Sequence, residues 1–295
     1  MNRAIARHRA PAKLNLGLEI IGRRPDGYHE LVTIFQTIAL YDEITVATAA
    51  PGELTLTADP TLGGENNLIL RAARALAART GCADGATLAL DKGIPVAAGL
   101  GGGSSDAATT LRALRDHWDL PTTDAELAAL ATRLGADVPF FLRGGTALAS
   151  GIGEALIALP PLRPCWFVTL TPTIALPADK TRRLYAALTP RDFGDGARTL
   201  AQAERLRQGL PLDPTLLVNS FATPLERLFP ALADWRERLI RAGAPFVLPS
   251  GSGPTLYTMV ESAGVALAIQ ETMGIGAARI HVARCVGGQR EAPGQ

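Results

Sequence analysis

From Pro95 to Ala107 the chain reads Pro-Val-Ala-Ala-Gly-Leu-Gly-Gly-Gly-Ser-Ser-Asp-Ala, with four glycines and two serines inside seven residues and a helical pattern directly after them. Glycine lets the main chain take positive φ and approach a ligand closely. The helix that follows would direct its unpaired N–H groups and the positive end of its dipole into the loop, which suits a bound anion, most often a phosphate. The loop is neither of the two common nucleotide loops. No Lys follows the glycines as in G-x-x-x-x-G-K-[ST], and Ser104 stands where G-x-G-x-x-G would place its last glycine. Phosphoryl transfer rests on positioning and charge stabilisation, and it needs a cation near the acceptor and often a carboxylate to take a proton. Lys13 and Asn15 emerge from one face of a strand, a cation and an amide directed at one small polar group. Asp137, in Leu-Gly-Ala-Asp-Val-Pro-Phe-Phe, lies between a helix end and apolar residues, where partial burial beside a lysine makes a carboxylate useful as a base. A solvated strand edge for Lys13 and a turn-forming Asp before Val-Pro are the alternatives.

The elements that must hold these residues are legible in the patterning. Residues 13–20 alternate, with Leu14, Leu16, Leu18 and Ile20 on one face and Lys13, Asn15, Gly17 and Glu19 on the other, which predicts a half-buried strand. Pro25-Asp26-Gly27 marks a turn before a β-rich run over residues 31–49. Residues 53–59 and 86–95 read as strands, separated by a helix over 66–80 whose Leu68, Ala72, Ala75 and Leu76 share a face. After the glycine loop, Leu111, Leu114 and Trp118 mark the apolar stripe of a helix starting near Asp106. Thr123 and Glu126 have capping-box spacing at the start of another helix, which ends before Gly135. Residues 135–154 read as a Gly-rich stretch passing into a strand. Three prolines within residues 160–164 predict a connection between a domain over 1–160, with the loop, Lys13 and Asp137, and a domain over 161–295. The second half shows a strand over 165–172, a Gly-rich turn into a strand over 250–260, a helix over 264–273 and a strand from Ala278.

The run from Pro95 to Ala107, passing from strand to helix, resembles the signature of the GHMP kinase superfamily. Residues 11–31, 94–111, 134–154 and 250–257 further match, in order and approximate spacing, the branch that acts on 4-diphosphocytidyl-2-C-methyl-D-erythritol in non-mevalonate isoprenoid biosynthesis. The resemblance implies an α+β, two-domain GHMP kinase fold: an N-terminal domain like the second domain of ribosomal protein S5 and a ferredoxin-like C-terminal domain. It implies phosphorylation of the substrate's 2-hydroxyl, with ATP as co-substrate and Mg2+ beside it; the sequence does not settle the protein ligand of that Mg2+, for which Ser105 is one candidate. The catalytic pair falls on Lys13 and Asp137. The ATP loop falls on Pro95, Val96, Ala97, Ala98, Gly99, Leu100, Gly101, Gly102, Gly103, Ser104 and Ser105. Asn15 falls beside the acceptor. The cytosine pocket falls on Tyr28, which stacks on the base, and His29, which bonds its edge. Thr181 and Tyr185 meet the family's T-x-x-x-Y pattern and would complete the aromatic sandwich, although the usual Val-Ser before that Thr is replaced by Ile-Ala-Leu-Pro-Ala-Asp-Lys. Asn66, Asn67 and Lys92 match segments near the adenine and the loop, and a helix cap and a surface strand residue explain them equally well. Residues 250–255 resemble the superfamily's third motif. Other GHMP kinases, of the homoserine or mevalonate type, and a non-catalytic S5-like binding protein are the alternatives. Residues 22–31 argue against the first, which need no cytosine pocket, and Lys13 with Asp137 argue against the second.

Composition narrows the field in the same direction. The 295 residues carry a formal net charge of +1 and 19% charged side chains, which leaves no electrostatic footprint for nucleic acid or an acidic membrane surface and makes a small molecule the expected partner. Cys82, Cys165 and Cys285 are widely spaced and odd in number, which speaks against a disulfide framework or a zinc site. With no apolar run of membrane-spanning length and no signal-peptide core at the start, a cytoplasmic location is expected.

Overall fold

The computed structural model of the chain describes residues 5–62, 64–274 and 276–288. Strands β1 (Ala6–Arg23) and β2 (His29–Ala49) pair with each other. The turn between them is closed by hydrogen bonds from the Arg24 amide to the Tyr28 carbonyl (2.7 Å) and from the Gly27 amide to the Arg24 carbonyl (3.0 Å). There follow β3 (Leu54–Thr57), α1 (Leu68–Thr80), β4 (Gly85–Asp91), α2 (Gly102–His117), α3 (Asp124–Leu134), α4 (Val138–Arg143), β5 (Thr146–Ser150) and β6 (Ala155–Leu159). The remainder forms β7 (Trp166–Pro172), α5 (Lys180–Ala187), α6 (Ala197–Arg207), α7 (Ala222–Leu228), α8 (Ala231–Arg241), β8 (Leu248–Pro249), β9 (Leu256–Val260), α9 (Ala263–Met273) and β10 (Ala278–Arg284). Among the described residues no helix is long and apolar enough to cross a membrane.

One compact unit comprises the described residues up to Ala12, of Leu40–Val96 and of Gly101–Arg143. In it β4 lies between β3, its parallel neighbour, and the second half of β2, its antiparallel neighbour with Glu43 opposite Asp91. Helices α1 to α4 pack on one another, burying Ile69, Leu76, Leu111, Leu114, Leu127, Phe140 and Phe141. The Asn67 side chain caps α1 by accepting from the Ile69 amide, and α3 has the full capping box between Thr123 and Glu126. Two departures from the sequence pattern concern the site. Helix α2 begins four residues earlier than Asp106, at Gly102, so that Gly102, Gly103, Ser104 and Ser105 form its first turn. Residues 138–143 form a helix where an irregular stretch was expected; Pro139 is tolerated because the first-turn amide it lacks has no intrahelical partner in any case.

The other unit comprises Lys13–Ala39, Ala97–Leu100 and the described residues from Gly144 onward. Here β5 pairs antiparallel with the first half of β2 and with β6. A second antiparallel sheet runs β10-β7-β9-β8. Val168, Leu170, Leu256 and Val260 of that sheet share a core with Leu239 of α8 and with Ala266, Ile269 and Met273 of α9. Helices on one face of an antiparallel sheet give the α+β arrangement expected of this half. A satellite core joins Leu18, Ile20 and Leu31 to Leu184, Phe221, Leu225 and Leu232. Strand β1 is not half-buried as its alternation predicts: every residue from Ala12 to Ile20 is buried. The polar face is covered too, because a Cβ on Gly17 would lie 3.0 Å from Thr199 Oγ1, and Glu19 accepts from the Thr199 amide at 2.8 Å.

Candidate active site

Lys13 and Asn15 project from the buried middle of β1. The Lys13 Nζ donates to Asn15 Oδ1 (2.6 Å) and lies 5.0 Å from the centre of the Phe35 ring, while Asn15 Nδ2 donates to Thr33 Oγ1 (2.8 Å). Lys13 is 4% exposed, so its side chain is fixed by packing in a low-dielectric setting, which excludes the solvated strand edge. Gly251 sits over the pair: a Cβ there would be 3.2 Å from Asn15 Oδ1 and 3.4 Å from Lys13 Nζ. The turn that contains Gly251 is held by Asn219, whose Nδ2 donates to the Pro249 and Gly251 carbonyls at 2.8 and 2.9 Å.

The glycine loop approaches the same turn backbone to backbone. Gly99 has φ +83°, and a Cβ on it would fall 2.1 Å from the Ser250 carbonyl oxygen, so no other residue fits without moving one of the two segments. Four successive loop carbonyls face donors of this unit. Ala97 accepts from Lys180 Nζ (3.4 Å), Ala98 from the Thr255 amide (3.2 Å), Gly99 from Ser250 Oγ (3.0 Å) and Leu100 from the Lys13 amide (2.9 Å). Pro95 is buried and Val96 exposed, and Ala97 takes φ +53°, a strained value for a residue with a Cβ and one that marks functional loops.

At the start of α2, Gly101 is the N-cap with φ +73° and no side-chain capping bond, which leaves the first-turn amides for another acceptor. Beneath it lies a group of which the sequence pointed only to Lys92. Lys92 Nζ bonds Asp42 Oδ2 and, at 3.1 Å, Asp106 Oδ2, while Asp42 Oδ1 accepts from the Gly93 and Ile94 amides at 2.9 and 2.8 Å. Lys92 is therefore not a surface strand residue. Burial pushes the Asp106 carboxyl up to about 7; Lys92 opposes the rise and the Asp42 charge adds to it. Gly102 touches this triad, since a Cβ on it would lie 3.0 Å from Lys92 Nζ and 3.3 Å from Asp42 Oδ2. Asp137 stands half-buried in the turn that leads into α4. The signal for the triad was available in the two acids: Asp42 interrupts an apolar strand, and Asp106 follows the loop on the helix's inner side.

Tyr28 and His29 end the first turn of the chain. Tyr28 is 61% exposed, and its backbone amide donates to Asp26 Oδ1 at 3.1 Å. His29 is packed, 4.9 Å from the Tyr185 ring at a 32° tilt and edge-on to Phe193 at 6.2 Å. Burial, and the charge of Arg23, lower the His29 pKa, which keeps the imidazole neutral at pH 7 with one donor and one acceptor nitrogen. Thr181 and Tyr185 share a face of α5; Thr181 Oγ1 is 3.2 Å from Ser252 Oγ, and Tyr185 packs edge-on against Phe221 at 4.9 Å. The structure thus brings the two distant aromatic motifs together at His29 and Tyr185. Lys180, one residue before Thr181, was not singled out by the sequence. It is 5% exposed and donates to the Ser252 carbonyl (2.9 Å) and the Gly253 carbonyl.

A kinase of the GHMP class is what this fold and glycine-rich helix start define: residues 67–145 match the model of the GHMP kinases N terminal domain and residues 198–276 that of the GHMP kinases C terminal domain. A crystal structure of 4-(cytidine 5'-diphospho)-2C-methyl-D-erythritol kinase superposes with a TM-score of 0.83 at 39% identity, over 96% of this chain and 100% of that one. The 4-diphosphocytidyl-2-C-methyl-D-erythritol kinase of Pelotomaculum thermopropionicum is 39% identical over 251 residues, 84% of this chain and 86% of the relative. The chain belongs to the 4-diphosphocytidyl-2-C-methyl-D-erythritol kinase family. Homoserine kinase from Cytophaga hutchinsonii shares the fold, with a TM-score of 0.75 at 17% identity over 97% of this chain and 96% of its own.

Proposed function

We propose that this protein transfers the γ-phosphoryl group of ATP to the 2-hydroxyl of 4-diphosphocytidyl-2-C-methyl-D-erythritol, in the cytoplasm, as a step of non-mevalonate isoprenoid biosynthesis. The observation that carries the choice of substrate is the meeting of His29 with Tyr185, whose ring centres are 4.9 Å apart although they stand 156 positions apart in the chain. A neutral imidazole beside aromatic rings suits the donor and acceptor edge of a cytosine, and the exposed Tyr28 ring supplies a stacking face. Thr181 and Tyr185 complete this pocket. The first-turn amides of α2 and the loop from Pro95 to Ser105 receive the phosphates. Lys13, steadied by Asn15, stabilises the acceptor oxygen and the moving phosphoryl charge. The Asp137 carboxylate takes the hydroxyl proton as the oxygen attacks the γ-phosphorus and the bond to the bridging oxygen breaks, releasing ADP. Mg2+ suits the start of α2, where Ser105 Oγ and Asp106 Oδ1 are buried with no hydrogen-bond partner among the described residues and offer hard oxygen atoms; when bound it would neutralise phosphate charge. The division into 1–160 and 161–295 stands as a proposal about family modules, supported by the two family models lying on either side of residue 160.

ATP consumption measured with the cytidylylated substrate, mevalonate and homoserine tests the reading. Turnover is expected with the first alone, and methylerythritol phosphate lacking the cytidine should be a poor substrate. Preferential turnover of mevalonate or homoserine would overturn it.

A further inference from the structure

Lys180 is a buried ammonium whose neighbours are carbonyl oxygens. Among the described residues no ion pair joins it to a carboxylate, and its bonds go to the carbonyls of Ala97, Ser252 and Gly253 and, at 3.4 Å, to Ser252 Oγ. Removing an ammonium from water without a counter-charge is unfavourable, and the charge of Lys13 adds to the cost. A fold that needed only to satisfy these carbonyls has a cheaper solution close by, since the neutral amide of Asn219 serves the Pro249 and Gly251 carbonyls of the same turn. The charge on Lys180 therefore calls for a ligand.

The place of Lys180 indicates which ligand. It holds the first of the four loop carbonyls that face donors of this unit, and it is the one charged donor among them. A loop that receives phosphates through its amides must turn its carbonyl oxygens aside, because oxygen dipoles repel the anion. The Ala98, Gly99 and Leu100 carbonyls are turned by neutral donors, and Ala97, whose strained φ leaves the loop's entry the easiest part to relax, is turned by Lys180. Helix α5 has other anchors, with Leu184 fully buried and Tyr185 packed on Phe221, so the base pocket does not depend on the ammonium.

We propose that Lys180 is a positioning residue for the nucleotide: it clamps the Ala97 carbonyl to the turn at Ser252 and Gly253 and, with Lys13, supplies the positive charge toward which the polyphosphate binds. This rests on the kinase reading above, and its failure is distinguishable from that reading's failure because the unaltered enzyme serves as the reference. In Lys180→Met, which keeps the length and removes the charge, KM for ATP should rise about tenfold or more, the effect of losing a charge-assisted contact, while KM for the cytidylylated substrate and kcat change by less than about twofold.

A second measurement follows the pH dependence of KM in the unaltered enzyme and in the same variant. Burial, reinforced by Lys13, lowers the Lys180 pKa to about 8, so the charge is present below that pH and lost above it. Lys13 on β1 is the titratable group whose charge reaches Lys180. In the unaltered enzyme, KM for ATP should climb between pH 7 and 9.5 while KM for the cytidylylated substrate stays level; in Lys180→Met the ATP profile should flatten. An ATP KM that is unchanged in the variant, or level with pH in the unaltered enzyme, overturns the proposal. An inactive unaltered enzyme would instead refute the kinase reading.

Discussion

Asp137 and Tyr28 illustrate how two side chains of one proposed reaction should fail differently. Asp137, half-buried ahead of α4, is assigned to proton transfer, so Asp137→Asn should leave the affinities for ATP and the cytidylylated substrate near their original values while turnover falls roughly 10²- to 10⁴-fold. Unchanged turnover would remove it from the mechanism. Tyr28 is an exposed residue and is assigned to stacking, so Tyr28→Ala should weaken binding of the cytidylylated substrate by roughly 1–3 kcal/mol and leave ATP untouched in calorimetric titrations. Equal losses for both ligands would point to damage of the turn that carries it. Each role was legible in sequence only as residue type and neighbourhood. The burial that turns Lys13 from a strand-edge lysine into a fixed cation comes from Phe35, Asn15 and Gly251, two of them remote in the chain.

The glycines at the start of α2 look alike in sequence, and the packing of the element separates them. A Cβ on Gly102 would press on Lys92 Nζ, Ile94 Cγ2 and Asp42 Oδ2 at 3.0 to 3.3 Å, whereas one on Gly103 would meet only Leu68 Cδ1 at 3.5 Å. Neither takes positive φ. Gly102→Ala should therefore destabilise the protein by about 1–3 kcal/mol in urea unfolding, through overpacking against a buried ion triad. Gly103→Ala should be neutral or stabilise by up to about 1 kcal/mol, since alanine is the better helix former. The reverse order would mean that the triad yields freely. Gly99 belongs with neither, because its positive φ and its approach to the Ser250 carbonyl exclude any side chain.

At the scale of the whole molecule, strand β2 contributes to both compact units, and the larger unit draws on residues 13–39 as well as on the second half of the chain. The satellite core makes the consequence concrete: Leu184, Phe221, Leu225 and Leu232 are covered by Leu18, Ile20 and Leu31. Residues 161–295 expressed alone should lack this cover, bind a hydrophobic dye and show no cooperative thermal transition. A sharp transition with native-like circular dichroism would show that a boundary near residue 160 is also a folding boundary. Family modules and folding units need not coincide, since a strand can be inherited with one and packed into the other.

The sequence by itself determined whatever depends on near neighbours along the chain. The Thr123–Glu126 box, the Asn67 cap, the Pro25-Asp26-Gly27 turn and the glycine run at a helix start follow from backbone preferences and short-range hydrogen bonds, and all of them stand in the structure. The four α-helices between β7 and β8 went unread in the sequence, because they are short, with Pro224 inside α7, and are stabilised by packing rather than by propensity. Only the tertiary structure decided that β1 is buried on both faces, that His29 meets Tyr185, that Lys92 lies between Asp42 and Asp106, and that Lys180 reaches the Ala97 carbonyl. These contacts join segments far apart in the chain, and their energy comes from surface and charge removed from water, which no local pattern of residue types specifies.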